Sequence, residues 1–386
     1  MVRYDYLIVG AGLAGTVLAE RIANRLGKRV LLLERRSHIG GNCFDEVDSE
    51  SGVLIHRYGP HLFHTDSERV MRYLGQFAEW RNYTHKVVAQ VDGRLLALPF
   101  SFYTLYQCYP FRRAARLQRL LIRTYGKNRK VPILELIQSE EPLLRELGTF
   151  IYQKIFLNYT SKQWGKRPEE IDPSVTARVP LVTAFDTRYF SDRFQAVPAA
   201  GYTRLFEAML DSEYITLRLG VDAASLLRIE NEQIYFHEAP FTGTLIYTGA
   251  IDALFDYRYG ELAYRSLDLR FERIGREYYQ THSVVNYPNE HAYTRITEFK
   301  HIHPVSSSRT TILKEYPQPY RRGENQPFYP LLTEENRTLY LRYKKLADRI
   351  PNLMTVGRLA EFRYYDMDDI VLRALTLFEK EICHEK

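Results

Sequence analysis

Gly10, Gly12 and Gly15 lie in the stretch "VGAGLAG", with the spacing G-x-G-x-x-G. In that pattern the first glycine permits a tight turn and the second lets backbone approach a pyrophosphate. The third lets a helix pack close against a strand. Val9-Gly10 ends a predicted strand, a helix is expected from about Ala14 to Leu26, and Gly27 stops it. "RVLLLE" then reads as a strand buried on both faces. It ends in Glu34, about 20 residues beyond the motif, where a carboxylate can bind ribose hydroxyls. The chemistry implied is dinucleotide binding at a helix N-terminus. Gly40-Gly41-Asn42 follows, a double glycine that lets a second loop pass close to the ligand, which resembles the FAD variant of this arrangement. No second glycine motif follows a strand, so the flavin's reductant, for example NAD(P)H, must bind elsewhere or transiently.

A second set of residues suits an anionic, ring-containing ligand. "NYTSKQWGK" holds Tyr159, Thr160 and Trp164, and "TARVP" isolates Arg178. "FDTRYFSDR" carries Tyr189, "VVNY" carries Asn286, "YTRITEFKH" places Arg295 and Glu298 in a strand, and "KEYPQPY" carries Tyr316. Arginine presents a planar fork that matches phosphate oxygens, and tyrosine adds stacking faces and hydroxyls. Two arginines and several tyrosines suit a second nucleotide, distinct from the flavin. Taken alone, His61 and His64 in "YGPHLFHT" read as structural histidines. Cys43 reads as a small packing residue, since no cysteine partner is near. No cluster has metal-ligand spacing, and no Ser-His-Asp arrangement or carboxylate pair favours hydrolysis.

The elements that must hold these residues are legible in the periodicity. Residues 66–80 look helical, and from about 101 to 170 a 3.6-residue period predicts a helical region. Residues 172–195 carry two prolines and predict a long connection. "YITLRLG" and "GTLIYTGAID" are predicted strands, and residues 264–316 alternate as in an antiparallel sheet. The last 30 residues contain a short strand, the segment "TVGRLAEFRYYDMDD" and a terminal helix.

At 386 residues, two or three domains and a sizeable core are expected. The net charge is +6, yet residues 112–130 alone hold eight basic residues and no acid. That run reads as a solvated helix face, with an anionic surface as the lesser reading and nucleic acid disfavoured because no rings interleave with the charges. Three scattered cysteines fit a reducing cytoplasm, and no apolar stretch reaches membrane length.

With "HIGGN", "YGPHLFHT", "YTSKQWG", "YFSDRFQ", "GYTRLFEAML", "FDYRYG", "YTRITE" and "GRLAEFRYYDM" in order, the chain resembles the UDP-galactopyranose mutase family nearly end to end. The resemblance implies an α/β fold: a Rossmann-like FAD-binding domain, a helical insertion domain and an antiparallel β-sheet domain. The FAD-binding parts would be 1–98, 198–254 and 346–386, with a helical domain 99–171, a mobile loop 172–197 and a sheet domain 255–345. It implies interconversion of UDP-galactopyranose and UDP-galactofuranose by ring contraction, with reduced flavin N5 as nucleophile on the anomeric carbon and no net redox change. Arg178 and Arg295 fall on pyrophosphate-binding positions, Tyr159 on the residue stacking on uracil with Trp164 beside it, and Tyr189, Tyr316 and Tyr365 on tyrosines at the diphosphate. Thr160 and Asn286 fall at the substrate as well, and His61 and His64 would lie near the isoalloxazine ring. The cofactor set adds Leu13, Arg35, Gly41, Asn42, Val221, Gly357, Arg358, Asp366 and Met367, with Tyr365 shared between cofactor and substrate. Relatives imply a homodimer built through the helical region. "THKV" at 84–87 departs from the family pattern, and His85 has no role carried over.

Overall fold

The structure is a computed structural model that describes residues 3–167, 170 and 180–383. Its centre is a parallel sheet of five strands in the order Ile215–Leu219, Val30–Glu34, Tyr6–Val9, Thr244–Tyr247, Leu353–Thr355. Alternate side chains serve two cores. Ile8, Val30, Leu32 and Ile246 pack under helices Leu13–Leu26, Tyr202–Leu210 and Met367–Leu377. Leu7, Leu31, Leu33 and Leu245 pack on the other face against helix Glu334–Ala347 and the strand Gln233–Phe236. Both faces are covered, which is why "VLLLE" is continuously apolar. Gly27 ends the first helix in the left-handed region, at φ 61°, as its position predicts.

The second layer is a seven-stranded sheet ordered Tyr329–Pro330, Tyr264–Ile274, Thr310–Pro319, Arg295–Glu298, Val284–Asn286, Val87–Val91, Arg94–Leu98. One expectation is corrected by this sheet. The hairpin 87–98, placed by sequence in the FAD-binding part, belongs to the large sheet, because Val87, Ala89 and Val91 pack into the helical core. Its junction with Val284–Asn286 is parallel, while the strands within 264–319 pair antiparallel, as their alternation predicts. The helix expected over 66–80 is shorter, Glu68–Leu74, and Trp80–Asn82 pairs instead with Phe194–Pro198.

The helical region contains Phe102–Cys108, Phe111–Tyr125, Ile133–Ile137 and Pro142–Ile151. A five-residue π turn, Tyr152–Phe156, leads into Leu157–Trp164. An added residue in one turn rotates everything after it, so this turn sets which side of the last helix meets the sheet. That helix is fastened from three directions. Lys162 Nζ donates to the Tyr287 carbonyl at 2.9 Å, and Asn158 Nδ2 donates to Asn289 Oδ1 at 3.0 Å. Arg265 donates to the carbonyls of Gln163 (3.1 Å) and Lys162 (3.2 Å), a cation at the negative end of the helix.

Candidate active site

The glycine turn is a close contact that side chains would destroy. A Cβ on Gly15 would stand 1.9 Å from the Gly10 carbonyl oxygen, and one on Gly41 3.0 Å from the Gly12 Cα. Gly10 and Gly41 also hold φ of 102° and 57°, which side chains resist. The helix beginning at Leu13 has neither a side-chain cap nor an acid in its first turn, so its leading N–H groups await an anion. Glu34 is buried beside it and accepts from the N–H groups of Ala11 (2.9 Å) and Arg36 (2.9 Å). These groups fit a dinucleotide: a bare positive helix end, a gap only glycine tolerates, and a carboxylate at the strand end.

The remaining cofactor candidates surround that turn. Gly40 N–H donates to the Ala11 carbonyl and locks the two glycine loops together at 2.8 Å. Val221 is held at the sheet's end by the Glu34 carbonyl, at 3.0 Å. Arg35 turns outward to Gln326 at 2.6 Å, whereas Arg36 lies over the Tyr58 ring (4.2 Å) and donates to Asn42 Oδ1 (3.0 Å). Arg36 was not anticipated; it also donates to Gln326 Oε1, at 3.3 Å, so it stands beside Arg35 at this edge of the site. Met367 opens the C-terminal helix and meets the Cys43 thiol at 3.7 Å. Burial pushes that thiol up to about 12, so Cys43 is the inert packing residue its isolation suggested.

Across from the turn, the large sheet presents a polar row. Asn286, Arg295 and Glu315 are direct register partners on three neighbouring strands, so their side chains share one face. Arg295 Nε donates to Glu315 Oε1 at 2.6 Å. Burial opposes the guanidinium charge, but Glu315 and the phenols of Tyr159 and Tyr329 hold its pKa well above the ordinary arginine value. Three polar atoms in this neighbourhood are buried without a hydrogen-bond partner: Glu315 Oε2, Asn286 Oδ1 and His85 Nδ1. Such atoms cost stability unless a ligand satisfies them. His85, which sequence left without a role, is buried within reach of the Arg295 charge and touches the Tyr189 ring at 5.5 Å.

Rings close the space between row and turn. Trp164 lies 6.0 Å from Tyr329, and Tyr329 stacks on Tyr364 at 6.0 Å with planes 10° apart. Arg358 lies over both, 5.6 Å from the Tyr329 centroid and 5.0 Å from that of Tyr364. Its guanidinium donates to the carbonyls of Tyr365 (2.6 Å) and Phe328 (3.3 Å). Gly357, at φ 108°, makes the turn that delivers it. Tyr159 feels the charges of Arg295 and Glu315 and the phenols of Tyr189 and Tyr329, and Thr160 is buried beside it in the same helix.

The charges of both arginines reach His61. Burial pushes its pKa down to about 4, and both Arg358 and Arg295 act in the same direction. Its Nδ1–H donates to the Gly59 carbonyl at 2.8 Å, which leaves Nε2 as a bare acceptor. A relay lies behind it. The His61 N–H donates to His56 Nδ1 at 3.0 Å, so neutral His56 carries its proton on Nε2 and donates to His303 Nε2 at 3.1 Å. His64 is less central: it stacks on Phe190 at 3.7 Å and faces Asp192 at 3.3 Å.

Two expected residues point elsewhere. Tyr316 follows Glu315 in its strand and therefore takes the opposite face, where it lies under exposed Arg270 at 4.3 Å. Tyr365 is buried in the core beneath the parallel sheet, bonded to Glu361, and its neighbour Tyr364 enters the cleft. Arg178 lies outside the described residues. Asp366 begins the terminal helix, with its N–H donating to Asp369 Oδ2 at 3.1 Å.

Comparison with known proteins decides the family. The UDP-galactopyranose mutase family profile matches residues 154–364, and a Rossmann-like NAD(P)-binding profile matches residues 8–77. UDP-galactopyranose mutase of Mycoplasma pneumoniae is 36% identical over 98% of this chain and 96% of its own. This chain belongs to the UDP-galactopyranose mutase family. It is an enzyme of that family, with a flavin as the cofactor its fold implies. The dTDP-fucopyranose mutase of Escherichia coli is 34% identical over 98% of this chain and 99% of its own. The crystal structure of a reduced UDP-galactopyranose mutase shares the fold, with a TM-score of 0.74 over 97% of this chain and 93% of that one at 16% identity.

Proposed function

We propose that the enzyme interconverts UDP-galactopyranose and UDP-galactofuranose, with FAD held in the reduced state and no net oxidation. The observation that carries this reading is that the charges of Arg295 and Arg358 both reach His61 and Tyr329, beside a wall of Trp164, Tyr329 and Tyr364. A nucleoside diphosphate needs that chemistry: guanidinium forks for a departing diphosphate and flat faces for a base. FAD would be held by Gly10, Gly12, Gly15, Glu34, Gly41, Asn42 and Arg358, and when reduced it would supply the nucleophile that holds the sugar's anomeric carbon. Arg295, oriented by Glu315, would take the diphosphate together with Arg178. Tyr159 and Trp164 would receive the uracil, with Tyr189, Tyr329 and Tyr364 offering hydroxyls alongside. Asn286 and Glu315 Oε2, both unpartnered, would accept from substrate or cofactor donors. His61 would offer an acceptor nitrogen and no proton near neutrality. With the cofactor as nucleophile, no protein nucleophile is required. The reading carries with it a cytoplasmic homodimer served by an external reductant such as NAD(P)H.

The Escherichia coli relative motivates a second reading, ring contraction of dTDP-fucopyranose. One experiment treats both. The purified flavoprotein is given UDP-galactofuranose or dTDP-fucofuranose, with and without dithionite, and products are separated by chromatography. UDP-galactopyranose formed only under reducing conditions supports the proposal. Preference for the thymidine sugar moves it to the second reading, and a net redox product with oxidised flavin makes the protein an amine-oxidase-like oxidoreductase instead.

A further inference from the structure

Helix Phe111–Tyr125 carries Arg112, Arg116, Arg119 and Arg123 at spacings of four, three and four residues. At about 100° per residue the four fall within roughly 60° of arc, opposite buried Ala114, Leu117 and Leu121. All four are exposed. Arg123 approaches Glu141 at 3.6 Å, and the other three meet no carboxylate among the described residues. The sequence holds no acid between residues 93 and 134, and exposed Lys127 and Arg129 extend the charge past the helix. The rest of the molecule is not basic, since the eight cations of 112–130 exceed the whole net charge of +6.

A second feature adjoins the stripe. Phe111, at 74% exposure, is the most exposed large apolar side chain among the described residues, and Phe185 (58%) and Tyr103 (49%) are also in water. Tyr106 ties Phe111 and Phe185 into one patch, with its ring 5.7 Å from Phe111 and 5.9 Å from Phe185. Exposed rings beside an arginine face are what an interfacial helix presents to a bilayer: rings enter the headgroup layer, and guanidiniums spread among phosphates on their apolar stems. Screened charge or a few rings alone gives marginal binding, while the two together hold.

We propose that this face docks the enzyme on an anionic lipid bilayer. A second copy fits this face less well, because a two-fold contact sets the stripe against its own like charges, so a homodimer through the helical region would use its other surfaces. Nucleic acid fits less well, because the rings lie at one end and do not alternate with the arginines. None of the cleft residues among those described belongs to this helix or its ring patch, so docking leaves them free.

The FAD-loaded full-length protein is sedimented with vesicles of phosphatidylglycerol and phosphatidylcholine in equal parts, and with phosphatidylcholine alone. Binding is expected to be at least about tenfold tighter to the anionic vesicles and to weaken as salt rises. R116E/R119E should lose at least about tenfold, and F111S should lose several-fold, each with unchanged turnover of soluble substrate. Equal binding to both vesicles, or full binding by R116E/R119E, overturns the proposal. So does retention of duplex DNA without vesicle binding, or an oligomer that F111S dissociates in the absence of lipid binding.

Discussion

At the scale of single residues, the cleft depends on which of two neighbours faces it. Tyr364 and Tyr365 are adjacent, chemically identical and opposite in direction: one stacks on Tyr329 under Arg358, the other is bonded to Glu361 in the core. The sequence supplies both tyrosines and no way to tell them apart, and the same holds for Glu315 against Tyr316. Along a strand, alternation makes such a pair an either-or choice that register decides, whereas Tyr364 and Tyr365 lie outside any strand and the path of their loop decides between them. The two tyrosines therefore predict different defects. Tyr364→Ala removes a ring from the cleft wall, so kcat/KM should fall by about 10- to 100-fold with the melting temperature little changed. Tyr365→Phe removes a buried hydrogen bond and should cost about 1 kcal/mol of stability with kcat/KM nearly intact. Kinetics and thermal melts on the two variants check this, and the reverse pattern would place Tyr365 at the substrate.

At the scale of elements, the βαβ unit was legible almost to the residue, because its glycines leave few alternatives. Strand Val30–Glu34, the helix stop at Gly27 and the switch of period from two to 3.6 agree with one another. The hairpin 87–98 was not legible. It lies directly after a segment of the FAD-binding part, yet pairs in parallel with Val284–Asn286, nearly 200 residues later. Local pattern carries no information about so distant a partner. The glycine turn supplies the prediction at this scale. Gly15→Ala would put its Cβ at 1.9 Å from the Gly10 oxygen, so the helix must move off the strand and its N-terminus with it. The variant is expected to fold, since the core beneath the helix is otherwise intact, but to purify with several-fold less flavin per protein by absorbance. Full flavin occupancy would show that the turn does not hold the dinucleotide.

At the scale of the whole molecule, the interface between the large sheet and the nucleotide-binding layer is lined with histidines kept neutral. Burial lowers His303 to about 4, with Arg81 adding to it. His61 falls to about 4 and His85 to about 3, in each case mainly through burial. His56 is also held well below its usual value, through burial first and then its histidine neighbours. Unfolded, all four titrate near 6.5. Above that value neither state binds these protons and the stability is whole. As the pH drops from about 6.5 toward 4 the unfolded chain takes up protons that the fold refuses, so stability is lost at up to about 1.4 kcal/mol per histidine per pH unit. Burial raises the carboxyls of Asp45, Asp252 and Asp368, which offsets part of the loss toward the acid end. The relay gives a way to separate the two. His303→Gln keeps an acceptor for His56 Nε2 but removes one titrating ring, while the carboxyls are untouched. Denaturant unfolding at pH 7 and pH 5 should show a smaller loss in the variant than in the parent, by about 1 to 2 kcal/mol. The parent losing no more than the variant would mean that His303 titrates normally, and that the wall behind His61 is wet.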